Sequence, residues 1–399
     1  MLRAGSWGSI LLLYGYGIVA TSIVTQAVPI IGSIAHTYPI GDTARGWIIS
    51  LPSLVTALGA FAGGWLIDRI GDRVALLAGC LLAIAGDVVV FFSHDLSTLV
   101  AGRLLEGGGY LSLTVGAATM IMRTTAGHRR STALGLWSSH TAVGIGVTLL
   151  AVAPLASGAE RWRWAFGGHA GLLGLLAAAT ALLPRPDGTG SARRLADLVR
   201  VLRSLAPYRV ALASCASALL QTGVMASLTT YLARAHGVSI PTAAAVGTAA
   251  EVVNAAGCLI AGPMLKRGAA PARLAAIGAA TLLVGAVLLY LPGVGLAAAA
   301  AGVTVFALGI GVTNSLIWSL VPAAAPSPQV MGATSGLVAQ ATYLGVLLGP
   351  PLVFSTLHPG GRGALMALLA ATAILQIISL PIWRRPPPAP QPLEVAEQP

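Results

Sequence analysis

Gly64-Trp65-Leu66-Ile67-Asp68-Arg69-Ile70-Gly71-Asp72-Arg73 joins two apolar runs, Trp47 to Ile67 and Val74 to Phe92. Each run is about 20 residues, enough for an α-helix to cross the ~30 Å hydrocarbon core of a bilayer. A tight turn of Gly, Asp and Arg between two such runs belongs at a membrane face. A phosphate-cradling glycine loop in a soluble enzyme would need a strand before it and Gly-Lys-Ser/Thr after it, and neither is present.

Composition extends this reading to the whole chain. Its 399 residues are 56% hydrophobic and only 9% charged, with mean hydropathy +0.84. Soluble domains carry about 25% charged residues. Twelve apolar spans are predicted, at 9–35, 44–67, 74–92, 97–122, 132–155, 164–183, 207–233, 241–265, 272–291, 294–321, 328–356 and 362–383. Several are long enough to need tilt or kinks. The expected fold class is all-α integral membrane. A β-barrel would show alternating segments of about ten residues, and little sequence is left for a soluble catalytic domain. The first run is too long for a signal-peptide core and leads into another span, so no cleavage is expected.

The net charge of +11 would suit nucleic acid, but its distribution points to a membrane. With a cytoplasmic N-terminus, only Arg45, Arg161, Arg163, Arg234 and Arg362 fall outside, and Arg103 falls within the membrane. The other seventeen of the 23 basic residues fall inside. This asymmetry orients membrane proteins and puts both termini in the cytoplasm. Cys80, Cys215 and Cys258 lie within spans and read as small packing residues.

The pattern G-x-L-x-D-R-x-G-x-R at Gly64, Asp68, Arg69, Gly71 and Arg73 closely resembles the loop between helices 2 and 3 of the major facilitator superfamily (MFS). Asp72 stands where that family usually carries a basic residue. The resemblance implies two pseudo-symmetric six-helix bundles. Internal repeats agree: Gly64-x-x-x-Asp68-Arg69 recurs as Gly262-x-x-x-Lys266-Arg267 at an offset of 198. Gly135 and Gly144 recur as Gly336 and Gly345 at an offset of 201. The predicted bundles are 1–183 and 207–383, with a linker at 184–206 and a Pro-rich disordered tail at 384–399. Within the linker, 191–205 has an apolar face of Leu195, Leu198, Val199, Leu202 and Leu205 suited to lying on lipid headgroups.

By resemblance, Asp68 meets the N-terminus of span 11, near Ser327-Pro328-Gln329, when the inner gate is shut. Free N–H groups and the positive dipole end make that a suitable anion site. Span 4 carries Arg103-x-x-Glu106-Gly107-Gly108-Gly109, which looks like the family's R-x-x-x-G-x-G motif. A charge in hydrocarbon must find a partner, and the candidates for Arg103 are Glu106 three residues on and Asp87 in span 3. Glu251 in span 8 has no basic residue predicted at its depth in the second half, and an unpaired carboxyl in a dry site can carry a proton. Glu251, Glu106, Asp87 and Arg103 are the proton-coupling candidates. His140 reads either as a proton shuttle or as a packing histidine. Arg161-Trp162-Arg163-Trp164-Ala165-Phe166 resembles the family's W-R-W-x-F entry to helix 6 and reads as an interfacial anchor.

In the family's fold, helices 1, 4, 7 and 10 line the central cavity. The resemblance therefore names Tyr14, Tyr16, Gln26, Arg103, Gln221, Tyr231, Asn314 and Trp318 as cavity candidates. The expected function is proton-coupled transport of a small organic solute or metabolite by alternating access in a bacterial inner membrane. Multidrug/proton antiport and a transporter-like receptor are the alternatives. Export is weakened because Thr148-Leu149 replaces the Gly-Pro of the exporters' span 5 motif. No enzymatic activity, cofactor, metal site or nucleic-acid partner is expected. The expected partners are the solute, protons and the lipid bilayer, and the expected state is a monomer.

Overall fold

The computed structural model describes residues 2–125, 139–157, 160–184, 201–326, 331–358 and 360–383, with 129, 133, 136 and 137 between them. A few helical side chains, those of Asp68, Arg69 and Lys266 among them, lie outside what it describes. The described residues are helical, with no strand among them.

Among the described residues, thirteen α-helices follow in chain order. The first bundle holds α1 (Trp7–Thr25), α2 (Ala27–Thr37), α3 (Asp42–Ile70), α4 (Asp72–Phe91), α5 (Leu96–Thr124), α6 (His140–Val152) and α7 (Arg163–Ala179). The second holds α8 (Leu205–His236), α9 (Ile240–Lys266), α10 (Pro271–Tyr290), α11 (Leu296–Ala324), α12 (Met331–Thr356) and α13 (Arg362–Ser379). Nine of the described helices are long and apolar enough to cross a membrane, α1 and α2 counting as one. With α3, α5 and α6 they make the twelve spans. The linker helix expected at 191–205 lies outside the described residues up to position 200, and the tail at 384–399 lies wholly outside them.

Local chemistry sets the ends and breaks. Span 1 is interrupted at Gln26, because Pro29 has no N–H and its ring crowds the carbonyl four residues back. Asp95 caps α5 by accepting the Thr98 N–H at 2.8 Å. Bonds from the Ser97 hydroxyl and from the Thr98 N–H and hydroxyl hold the Asp95 carboxyl at about 2. Gly71, with φ +86°, makes the turn between α3 and α4, a conformation that costs glycine little. Gly268, also at φ +86°, follows α9 at the matching place in the second half.

The repeat appears most plainly in paired glycines. Gly79 and Gly86 of α4 face Gly102 and Gly109 of α5, and Gly278 and Gly285 of α10 face Gly302 and Gly309 of α11. Each pair is spaced by about two helical turns, so both glycines lie on one face. A Cβ on Gly86 would stand 2.7 Å from the Gly102 carbonyl oxygen, and one on Gly285 would stand 2.7 Å from that of Gly302. Small residues let two backbones approach where lipid supplies no hydrophobic drive. Gly144 and Gly345 mark a second equivalence, packing against the Ile18 and Cys215 carbonyls of α1 and α8. Gly336 meets nothing within 4 Å, and Gly135 lies outside the described residues.

The two bundles meet along α3–α12 and α6–α9. A Cβ on Gly46 would stand 2.5 Å from the Pro351 Cα, and one on Gly247 would stand 2.9 Å from Leu149. Gln340 donates to the Ala57 carbonyl at 2.8 Å, and Tyr110 meets Tyr343 edge to face at 5.5 Å.

Candidate functional site: two buried polar networks and an ionic latch

Each bundle buries one polar network. In the first, Arg103 of α5 is fully buried and bonded to Glu106. Its Nε donates to the Ile48 carbonyl at 3.1 Å, Nη2 to Ile49 at 3.0 Å and Nη1 to Ile23 at 2.8 Å. Pro52 within α3 explains one of these contacts: it has no N–H for the Ile48 carbonyl four residues back, and the guanidinium fills the vacancy. Arg103 thus ties spans 1, 2 and 4 together, and four of its five N–H groups are used within the bundle.

Asp87 of α4 has other partners. Gln26 donates its Nε2 to Asp87 Oδ1 at 3.1 Å, and His169 of α7 places Nδ1 2.7 Å from Oδ2. His169 Nε2 lies 3.1 Å from the Val19 carbonyl oxygen of α1. Sequence reasoning passed over His169, although it is the one ionisable residue in the apolar run 164–183. An intramembrane titratable group is a functional candidate on that ground alone.

The second network runs through α8, α9 and α11. Ser217 donates to Asn314 Oδ1 at 2.6 Å, and Asn314 Nδ2 donates to Gln221 at 3.3 Å. Asn254 donates to Glu251 Oε2 at 2.7 Å, and the Gln221 amide faces the same carboxyl. Glu251 is 1% exposed, and its Oε1 has no hydrogen-bond partner among the described residues. It sits at the seam between bundles: a Cβ on Gly146 of α6 would be 3.8 Å from its Cβ, and Thr248 donates to the Gly146 carbonyl at 2.9 Å.

Several cavity candidates stand elsewhere. Tyr16 is fully buried between α1 and the end of span 6, bonded to Leu176 and Thr180, and so does not face a cavity. Tyr231 donates to the Leu289 carbonyl and packs on Tyr290 within the second bundle. Gln26 and Arg103 are consumed by the first network, Gln221 and Asn314 by the second. Tyr14 bonds Ser139 at 2.9 Å, and Trp318 is exposed. Trp162 is a further correction to the sequence reading: it is buried, bonded to Thr37 and stacked under Arg163, and Trp164 is the exposed ring. His140 bonds the Trp137 carbonyl and stacks on its ring, a packing arrangement.

In the loop motif, Arg73 donates to the Ala181 carbonyl at 3.1 Å. Asp72, the departure from the family pattern, is buried at the start of α4 and paired with Arg123 at 2.9 Å. The side chains of Asp68 and Arg69, and residues 327–330, lie outside the described residues.

At the Asp42 end of the seam, Arg234 of α8 grips Asp42 of α3 through two bonds of 2.9 and 3.1 Å. Those bonds and the Arg234 charge, with Arg45 adding to them, hold the Asp42 carboxyl below the usual range despite its partial burial. Beside this latch lies a cavity of about 640 Å³ lined by Ser33, His36, Arg45, Glu160, Thr230 and Arg234 among others. Deeper in the seam is a small space of about 20 Å³ between Val24, Thr25, Val28 and Ile49 on one side and Thr222, Met225, Ala226 and Pro350 on the other.

Two bundles of six spans, related by repeats and meeting along a packed seam, are matched by the sequence pattern of the Major Facilitator Superfamily over residues 9–350. The chain belongs to the major facilitator superfamily. Among curated proteins it is similar to the mouse facilitated glucose transporter member 8, 31% identical over 141 residues, 34% of this chain and 28% of that one. The galactose-proton symporter of Escherichia coli K12 is 28% identical over 201 residues, 49% of this chain and 40% of the symporter. The uncharacterized MFS-type transporter EfpA of Mycobacterium tuberculosis is 27% identical over 159 residues, 40% of this chain and 30% of EfpA. The matches span less than half the length of these relatives. A solved bacterial homologue of the human lysosomal transporter Spinster, inward-facing and unoccupied, superposes with TM-score 0.75 over 94% of this chain and 95% of that one. At 17% identity this likeness speaks for the fold.

Proposed function

We propose that this facilitator-superfamily chain is a secondary transporter, not an enzyme, that moves a small organic solute by rocking its two bundles about the midplane. Coupling to protons is carried above all by one observation. Glu251 is a buried carboxyl at the seam, held by amides, with no cation facing it among the described residues. A carboxyl placed there loses its charge readily when the seam is dry and can release its proton when water reaches it. The proton symporters among the relatives support the same reading. The basic asymmetry supports a bacterial inner membrane with both termini cytoplasmic, which places the Asp42 end outside. The bundles 1–183 and 207–383 are the moving bodies, the chain acts as a monomer, and Asp68 gates the inner end.

Proton-driven efflux of amphiphiles is the second reading. The apolar lining of the small midplane space, from Val24, Val28, Ile49, Leu149 and Met225, favours it. Counterflow in proteoliposomes with labelled sugars, organic anions and amphiphilic cations identifies the solute class. With that solute, Glu251→Gln should still exchange across the membrane yet fail to accumulate solute under a pH gradient. Accumulation at the wild-type level would remove Glu251 from the coupling step.

A further inference from the structure

The hydrogen-bond geometry around His169 sets its proton count. A backbone carbonyl oxygen only accepts, so His169 Nε2, 3.1 Å from Val19 O, carries a hydrogen. Two arrangements then satisfy the 2.7 Å contact between Nδ1 and Asp87 Oδ2. Either Nδ1 also carries a hydrogen and an imidazolium faces a carboxylate, or Nδ1 is bare and accepts from a protonated carboxyl. Both hold one proton more than a neutral imidazole beside a carboxylate, and both are neutral overall. Two other groups face the pair. Gln26 of span 1 donates to the second Asp87 oxygen, and Glu106 of α5, paired with Arg103, lies within hydrogen-bond reach of Asp87; a proton held there is additional to the one between Nδ1 and Oδ2.

Removing the proton breaks one of the two histidine bonds. If Nε2 keeps its hydrogen, the bare Nδ1 lone pair points at a carboxylate. If the hydrogen moves to Nδ1, a bare Nε2 points at the Val19 oxygen. Either outcome loosens span 1, because Val19 and Gln26 are its two attachments to this pair and are seven residues apart on one helical face. That segment ends at the break before Pro29. Val24 and Val28, on the opposite face, line the midplane space against Met225 and Ala226 of the other bundle.

We infer that His169 and Asp87 form a proton-holding clamp on span 1, a second proton site, separate from Glu251, which positions the midplane wall. His169 is a positioning residue, acting on the transport path through span 1. This inference rests on the proton-coupled reading for its purpose, but not for its chemistry.

The test begins with the full-length protein, labelled with [15N]histidine in lipid nanodiscs, the His169 signals being assigned by difference from His169→Gln. At neutral pH, Nε2 should be protonated and Nδ1 hydrogen-bonded to the Asp87 carboxyl. A neutral ring with hydrogen on Nδ1 and a bare Nε2 overturns the proposal. Should His169→Gln not fold, variants of the other six histidines assign the signal by elimination. A second arm places Thr25→Cys in a background lacking Cys80, Cys215 and Cys258 and follows its reaction with N-ethylmaleimide from pH 5 to 9. Thiol ionisation gives a common slope. Beyond it, labelling should rise several-fold as the His169 signal titrates, and this extra rise should vanish in Asp87→Asn. The same extra rise in Asp87→Asn refutes the clamp. If the NMR result holds while no solute exchanges in proteoliposomes, the clamp stands and the transport reading falls. If Glu251→Gln behaves as a coupling variant while His169 shows a bare Nε2, the transport reading stands and the clamp falls.

Discussion

Replacing Asp42 by Asn removes the negative half of the bridge that spans the seam to Arg234. The two side chains are 30% and 46% exposed, so solvent screens much of their attraction. Exposed pairs contribute about 0–1 kcal/mol, and the two-bond geometry places this one in the upper half, about 0.5–1 kcal/mol. That corresponds to a shift of roughly two- to five-fold between closed and open forms at this end. Val28, 3% exposed beneath the latch, reports the opening. With Val28→Cys in a background lacking the native cysteines, Asp42→Asn should raise the rate of reaction with a membrane-impermeant maleimide two- to five-fold. Arg234→Gln should do the same, and the double variant should do no more than either single, because both remove one interaction. The wild-type difference should shrink in 1 M salt. The pH dependence follows from the depressed Asp42 value. A lowered acid stabilises above its ordinary value near 3.8 and loses that contribution as pH falls through the lower, closed-state value. The latch is therefore constant from pH 5 to 8 and weakens only in strong acid. Unchanged labelling in both single variants, or a double variant equal to the sum of the singles, would refute the latch.

Three further outcomes follow from the buried sites. Arg103→Ala leaves Glu106 and three carbonyls without their donor and should cost about 3–5 kcal/mol of stability. Arg103→Met with Glu106→Leu should recover much of the loss, read from thermal unfolding in detergent. Gly345→Val drives a branched side chain into the Cys215 carbonyl and should cost about 1–3 kcal/mol. Gly336→Val, in open space, should leave the melting temperature nearly unchanged. Glu251→Gln should lower pH-driven accumulation toward equilibrium while exchange persists, as flux measurements in one set of vesicles can show.

The helices, their ends and the repeat were legible in the sequence because each depends on neighbours close along the chain. Twenty apolar residues must form a helix in lipid to satisfy their own backbone, whatever surrounds them. Gly71 marked a turn. The spacing of Gly79 and Gly86, repeated at Gly278 and Gly285, was also there to be found, as was the orphan Ile48 carbonyl implied by Pro52. The Arg103–Glu106 pair was readable because both residues share one helix turn. The partners chosen between helices were not readable. Asp87 joins His169 across 82 residues, and Asp42 joins Arg234 across 192. Tyr16 and Trp162 turn inward where a cavity wall and an interfacial anchor were expected. In a soluble helix, an apolar stripe tells which side faces the core. Here lipid and protein interior are equally apolar, so helix rotation and depth leave little trace in the pattern. Only tertiary packing brings particular side chains to one seam.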